Sequence, residues 1–237
     1  MAKINLGLDV LGKREDGYHE VRMIMQTIRM YDILDIRKTR RPGIVLTTNL
    51  PFIPTDQRNL VYKAAQMLME EFDVEEGLSI KLRKFIPVAA GMAGGSSDAA
   101  AAFVGVNRMF HLGLTEEQLM ERAVKVGADV PYCIMRGTAL AEGIGEKLTR
   151  LPEVPKCYVL IGKPGINVST KTAYENLNLE GIGKHPDIDG LIGAIRNNDL
   201  YAMASRMENV FEPGIIGKYP VIQEIKEVKR ARIKTYL

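Results

Sequence analysis

The residues of this chain best suited to chemistry lie in one glycine-rich run, Pro87 to Ala100, where Gly91, Gly94 and Gly95 precede Ser96 and Ser97. Glycine lets a backbone approach another group closely, and a helix opening there presents unpaired N–H groups and the positive end of its dipole. A phosphate chain fits such a place. A plain linker would not pass unbroken from a strand into an alanine-rich helix, which Ser96 or Ser97 is placed to cap. The run lacks the Lys-Ser/Thr ending of a Walker A loop and is not a dinucleotide fingerprint. Gly7 to Lys13 matches the first part of a Walker A pattern, but Arg14 stands where a magnesium-holding Ser or Thr belongs, so the match reads as chance. Lys3 and Asn5 alternate with Ile4, Leu6, Leu8 and Val10, which puts both polar side chains on one side of a strand whose other face is buried. Of the three histidines, His19 sits in a motif, while His111 and His185 read as surface or capping residues.

The elements that must position these residues follow from periodicity. After the strand over Ala2 to Val10 comes a charged turn, Gly12 to Gly17, and then strands over Tyr18 to Ile28 and Ile33 to Ile36 in an antiparallel sheet. Asn59 opens a helix running through Glu71, and a strand follows from Leu78 to Lys84. Past the glycine-rich run, a helix over Thr115 to Val126 has Thr115 and Gln118 at capping-box spacing and Gly127 beyond its end, which places Asp129 at a helix exit. Short strands are expected at Tyr132 to Met135 and Thr138 to Ala141. Pro152 and Pro155 mark a linker over Leu151 to Lys156. Beyond it we expect a strand at Cys157 to Ile161, a helix capped near Ser169 or Thr170, and helices over Ile188 to Arg196, Leu200 to Met207 and Val221 to Lys229.

The chain's 237 residues exceed the roughly 100–200 of one ordinary domain, so one large or two smaller domains are expected. With 46% hydrophobic and 26% charged residues the composition is that of a globular protein. A net charge of +3, from 32 basic and 29 acidic residues, does not by itself call for a nucleic-acid or membrane partner. Cys133 and Cys157 form neither a disulfide framework nor a metal spacing and read as reduced core thiols, which suits the cytosol. No apolar run reaches the ~20 residues of a membrane helix, and no export signal is read.

The order of four motifs resembles the GHMP small-molecule kinases: Ala2 to Leu6, then Asp16, Gly17, Tyr18 and His19, then Pro87 to Ala100, then Gly127, Ala128, Asp129, Val130 and Pro131. The glycine-serine loop alone indicates only the superfamily; the other motifs point to its branch acting on a cytidine-linked methylerythritol, over about residues 1 to 225. The resemblance implies an α+β fold of two domains: a ribosomal protein S5 domain 2-like ATP-binding domain over residues 1–150 and a ferredoxin-like substrate domain over 156–237. It implies a cytoplasmic enzyme that phosphorylates the 2-hydroxyl of that cytidine diphosphate-linked polyol with ATP and Mg2+, in the non-mevalonate route to isoprenoids. Asp129 is then the general base and Lys3 its electrostatic partner. Pro87, Ala89, Gly91, Ala93, Gly94, Gly95, Ser96 and Ser97 hold the nucleotide phosphates, and Asn59, Leu60 and Lys84 fall where the family builds its adenine pocket. Asn5 orients the substrate, Tyr18 and His19 read the cytosine, and Tyr174 closes over it. The protein ligand of magnesium is not legible, Ser97 being the one candidate.

The family's third motif, a Gly-Ser-Gly turn, has no counterpart. After Val221 to Val228 the chain reads Lys229-Arg-Ala-Arg-Ile-Lys-Thr-Tyr-Leu237, so a reading frame lost or cut near Lys229, a start slightly short at Met1, and an incomplete second domain are expected. A nucleotide-binding remnant without turnover, and a related kinase for homoserine or mevalonate, are the rivals; Tyr18 and His19 speak against the second. An RNA-binding protein of similar fold would need a basic aromatic surface that is missing here.

Overall fold

The computed structural model describes residues 1–166, 173–174, 177, 179 and 181–233, with only the backbone of 229–233. The expected helix near Ser169 or Thr170 lies outside the described residues.

Among the described residues there are two sheets. The first has the order β1-β2-β6-β7, built from Lys3–Lys13, His19–Thr27, Thr138–Gly143 and Lys147–Arg150, all antiparallel. The second has the order β3-β5-β4, from Ile33–Thr39, Gly77–Arg83 and Ile44–Thr48, with β4 parallel to β5. The run at Ile33 therefore does not extend the first sheet, and β4 is an element that the sequence reading missed. Helices α1 (Leu60–Glu71) and α2 (Gly94–Met109) pack on each other, and their Ala64, Ala65, Leu68, Ala99, Ala102 and Phe103 share the main core with residues of both sheets. Alanines on both helices allow a close approach, so one core is shared by both sheets.

Strand β1 is not buried on one face only. Register shifts fall between Asn5 and Gly7 and between Val10 and Gly12. A bulge of this kind re-aims the side chains that follow it. Leu6 thus packs with Ile24 and with Ile188, Leu191 and Ile195 of α5 (Ile188–Arg196), while Leu8 and Val10 join the main core. Gly7 admits this layer: a Cβ there would stand 2.9 Å from the side chains of Ile188 and Leu191.

Helix α3 (Glu116–Ala123) has the expected reciprocal capping box of Thr115 and Gln118, but it ends before Val124. Residues 130–135 form α4 (Val130–Met135), not a strand. A short buried apolar run does not distinguish the two by periodicity, and Pro131 in the first turn favours the helix. Thr138 to Ala141 is strand as expected. Residues 151–164 carry no helix or strand, so the strand expected at Cys157 to Ile161 is absent and Cys157 is exposed, whereas Cys133 is buried. The chain continues through α6 (Leu200–Ser205), α7 (Glu212–Lys218) and α8 (Val221–Ile233). α7 was missed because Pro213, Gly214 and Gly217 look like loop residues. His185 is exposed, as expected, and its Nδ1 lies 2.8 Å from a carboxylate oxygen of the buried Asp9.

Because Ile24 is fully buried between the sheet and α5, Ile24→Ala should lower the unfolding free energy by about 3 kcal/mol in a urea titration. A loss below about 1 kcal/mol would mean that this layer is loosely packed.

Candidate active site

Lys3 begins β1 and is 5% exposed, which for an ammonium demands polar partners. Its Nζ donates to Asn5 Oδ1 at 3.0 Å, which the shared strand face allows, and lies 3.6 Å from Asp129 Oδ2. Its backbone N–H donates to the carbonyl of Met92 at 3.1 Å, so the first strand is joined directly to the glycine-rich loop.

Asp129 stands at the N-cap of α4, not at a helix exit, yet its side chain makes no capping bond. Local chemistry explains this. An N-cap carboxylate ordinarily accepts from the second or third helical N–H; Pro131, the second residue, has none, and Asp129 has helical rather than extended backbone angles, φ −83° and ψ −10°. The carboxylate is left facing a cleft of about 1480 Å³, whose walls also include Lys3, Asn5, Ala89, Gly91 and Ser96. α4 is held in place by Tyr132, which the sequence reading did not single out. Its hydroxyl donates to the carbonyl of Gly137 at 2.7 Å and lies 3.0 Å from Thr27 Oγ1. Thr27 is the cross-strand partner of Lys3. Two buried side chains on different elements are thereby locked to a common point.

The loop between β5 and α2 has Ala89, Gly91 and Ala93 all at φ between 52° and 67°, the left-handed region. Two of the three are alanines, each at a cost of roughly 1–2 kcal/mol. Alternating left-handed residues turn successive N–H groups toward one concavity, which suits an anion. α2 then starts at Gly94 with Ala93 as its N-cap, so neither Ser96 nor Ser97 caps it. The first helical bond runs from the N–H of Ser97 to the carbonyl of Ala93, leaving the amides of Gly94, Gly95 and Ser96 ahead of it. Ser96 lines the cleft. The Ser97 hydroxyl instead donates to the carbonyl of Gly94 at 2.9 Å, which turns this magnesium candidate inward. Among the described residues no three His, Cys, Asp or Glu side chains are grouped to hold a metal.

At the other side of the cleft, the rings of His19 and Tyr174 lie 4.9 Å apart at 32°, and Phe211, absent from the sequence reading, meets Tyr174 edge-on at 4.7 Å. Tyr18 is 60% exposed at the cleft wall. Burial, followed by the charge of Asp129, pushes the Tyr174 phenol above its ordinary value, and both side chains line the cleft. Burial, again with Asp129, pushes the Cys133 thiol up to about 12 and leaves it an unreactive core group.

Asn59 and Lys84 do not line this cleft, and each is held by partners within the fold. Asn59 caps α1 by accepting from the N–H of Val61 and donates to the carbonyl of Pro54 at 2.8 Å. Lys84 is buried and pairs with Asp32 and, at 2.7 Å, with Asp98. Leu60 is half-buried beneath Gly95, and Pro87 is half-buried at the entry to the loop.

Residues 59–137 match the family model of the GHMP kinases N terminal domain. The chain is 55% identical over 226 residues to a 4-diphosphocytidyl-2-C-methyl-D-erythritol kinase from Lachnospira eligens, covering 95% of this chain and 78% of that one. A relative of the same name from Caldicellulosiruptor bescii is 50% identical over 229 residues, covering 97% and 80%. A crystal structure of a 4-(cytidine 5'-diphospho)-2C-methyl-D-erythritol kinase superposes with a TM-score of 0.79 at 29% identity, over 97% of this chain and 81% of that one.

Asp98 generates a prediction on pH. Burial pushes its carboxyl up to about 7, which Lys84 only partly opposes. Its folded value is raised, so its stabilising effect is complete below about pH 4 and is lost as pH rises to about 7. Between pH 5 and 7 the wild type should lose about 2 kcal/mol more stability than Asp98→Asn in denaturant titrations. Parallel pH profiles for the two proteins would contradict the assignment.

Proposed function

The chain belongs to the 4-diphosphocytidyl-2-C-methyl-D-erythritol kinases of the GHMP kinase superfamily, and from that premise we propose how its residues divide the work of phosphorylating the 2-hydroxyl of 4-diphosphocytidyl-2-C-methyl-D-erythritol with ATP. The observation that carries this division is the 3.6 Å approach of Lys3 and Asp129 in a cleft that the glycine-rich loop also lines. Asp129 accepts the hydroxyl proton as the oxygen attacks the terminal phosphorus; the bond from that phosphorus to the bridging oxygen breaks, and ADP leaves. Lys3, facing the carboxylate at 3.6 Å, offsets negative charge on the group in transfer. Asn5 holds Lys3 and faces the substrate. Backbone amides of the loop from Ala89 to Ser96 take the phosphates, the half-helix charge at the start of α2 adding to their pull.

The aromatic side of the cleft suits the cytosine. Tyr18, His19 and Tyr174 offer ring faces to a pyrimidine, and the His19 imidazole offers a hydrogen bond to its polar edge. Magnesium is expected to arrive with the nucleotide. The cleft's oxygen groups, Asp129 and the Ser96 hydroxyl, fit an ion that keeps several waters and is bound mainly through phosphates, and they do not form an all-protein cage. Such an ion would be held beside Asp129 and Ser96 and would offset negative charge on the phosphates. Residues 1–150 form the nucleotide part and those from 156 the substrate part in this reading. No helix among the described residues is long and apolar enough to cross a membrane, and a cytoplasmic place is proposed to match the small soluble substrates.

Following ADP release with the cytidine-linked polyol, Asp129→Asn should lower kcat about 10²- to 10⁴-fold while ATP binding is kept. His19→Ala should raise KM for the polyol and leave KM for ATP within about twofold. Equal turnover of homoserine or mevalonate by the wild type would refute the cytosine assignment, and no turnover of any of the three alcohols would leave nucleotide binding alone.

A further inference from the structure

The aromatic side of the cleft has a second layer that the proposed division of work does not use. Tyr174 meets two rings, His19 at 4.9 Å and 32° and Phe211 at 4.7 Å and 77°. A nearly perpendicular pair at that separation is the edge-to-face arrangement, which carries a preferred angle that plain apolar contact lacks. Tyr174 and Phe211 are each half-buried, and both line the cleft.

Phe211 owes its place to β1. That strand is at the edge of its sheet, so one side of its backbone is free to bond elsewhere. At Leu8 both groups on that side are taken. The Leu8 N–H donates to the carbonyl of Glu208, and the N–H of Val210 donates to the carbonyl of Leu8, each at 3.0 Å, which makes a parallel bridge between Leu8 and Asn209. Asn209 Oδ1 then accepts from the N–H of Phe211 at 3.0 Å, a side-chain turn that fixes the direction in which the chain leaves the bridge. Lys3 begins the same strand. One element therefore spaces the support of the aromatic group from the reacting ammonium. Phe211 also lines a second cavity of about 480 Å³, together with Val210, Ile215 and Tyr219. A shorter side chain at position 211 would enlarge that space and take the support away from Tyr174.

The geometry points to Phe211 as a positioning residue for the pyrimidine. It holds the Tyr174 ring at the angle at which that ring covers the base, and the Leu8 bridge keeps this support at a fixed spacing from Lys3 and Asp129. The inference rests on the assignment of the cytosine to His19 and Tyr174. Phe211 acts through Tyr174, so its effect falls on capture of the cytidine end and leaves the phosphoryl step alone.

A double-mutant cycle in the full chain, with ADP release followed at varied polyol and varied ATP, tests this. Phe211→Leu should raise KM for the cytidine-linked polyol about three- to tenfold, as expected for the loss of one ring–ring contact. Its kcat and its KM for ATP should stay within about twofold of wild type. Phe211→Tyr, which keeps the ring, should hold KM for the polyol within about twofold as well. In a Tyr174→Leu background, Phe211→Leu should add less than about twofold, because the support has nothing left to hold. A merely structural role would give the same factor in both backgrounds and would overturn the inference, as would a loss of kcat and ATP binding as large as the rise in KM. Should Phe211→Leu not fold, Asn209→Ala removes the exposed acceptor of the Phe211 amide and should raise KM for the polyol about two- to fivefold. An unchanged KM in that variant would overturn the inference too. If Tyr174→Leu alone leaves KM for the polyol unchanged, the cytosine assignment fails and this inference with it. A raised KM in Tyr174→Leu beside an unchanged one in Phe211→Leu would remove the role of Phe211 alone.

Discussion

The arrangement rests on how Lys3 is held. A buried ammonium needs its partners supplied by the fold, and here they come from three directions: Asn5 on its own strand, Asp129 on α4, and the glycine-rich loop through the backbone bond to Met92. Tyr132 closes the frame by tying α4 to Thr27, directly across from Lys3. Moving any one of these elements would leave a buried charge or hydroxyl unpaired, and that cost keeps base, cation and loop in register. The left-handed alanines of the loop persist for the same reason, since Ile86 and Met92 beside them are packed with Ala2.

Charge works locally here. The chain as a whole is nearly balanced, yet the cleft gathers the half-helix charge of α2 and Lys3 opposite the half-buried carboxylate of Asp129. Directly behind the loop sits a cluster with an excess of negative charge.

Much of this was legible in the sequence because the signals were short-range. The shared face of Lys3 and Asn5, the cap at Asn59, the capping box at Thr115 and the helix over Ile188–Arg196 follow from spacing within a few residues. The family resemblance singled out Asp129, His19 and Tyr174, and the structure places all three along one cleft. What was misread depends on contacts distant in the chain. Bulges gave β1 two buried faces, and β3 went to a second sheet. The burial of Lys84 at the strand end was not legible, because the two acids that enclose it lie more than ten residues away in sequence. Residues 157–161 have strand composition but no partner strand among the described residues, and composition alone does not form a ladder.

The most direct measurement is a crystal structure of the chain with a non-hydrolysable ATP analogue and the cytidine-linked polyol. The account predicts the polyol's 2-hydroxyl within about 3.2 Å of an Asp129 carboxylate oxygen, and the terminal phosphate on the amides of the glycine-rich loop beside Lys3. A hydroxyl seated beyond reach of Asp129, with the terminal phosphate directed away from Lys3, would contradict it.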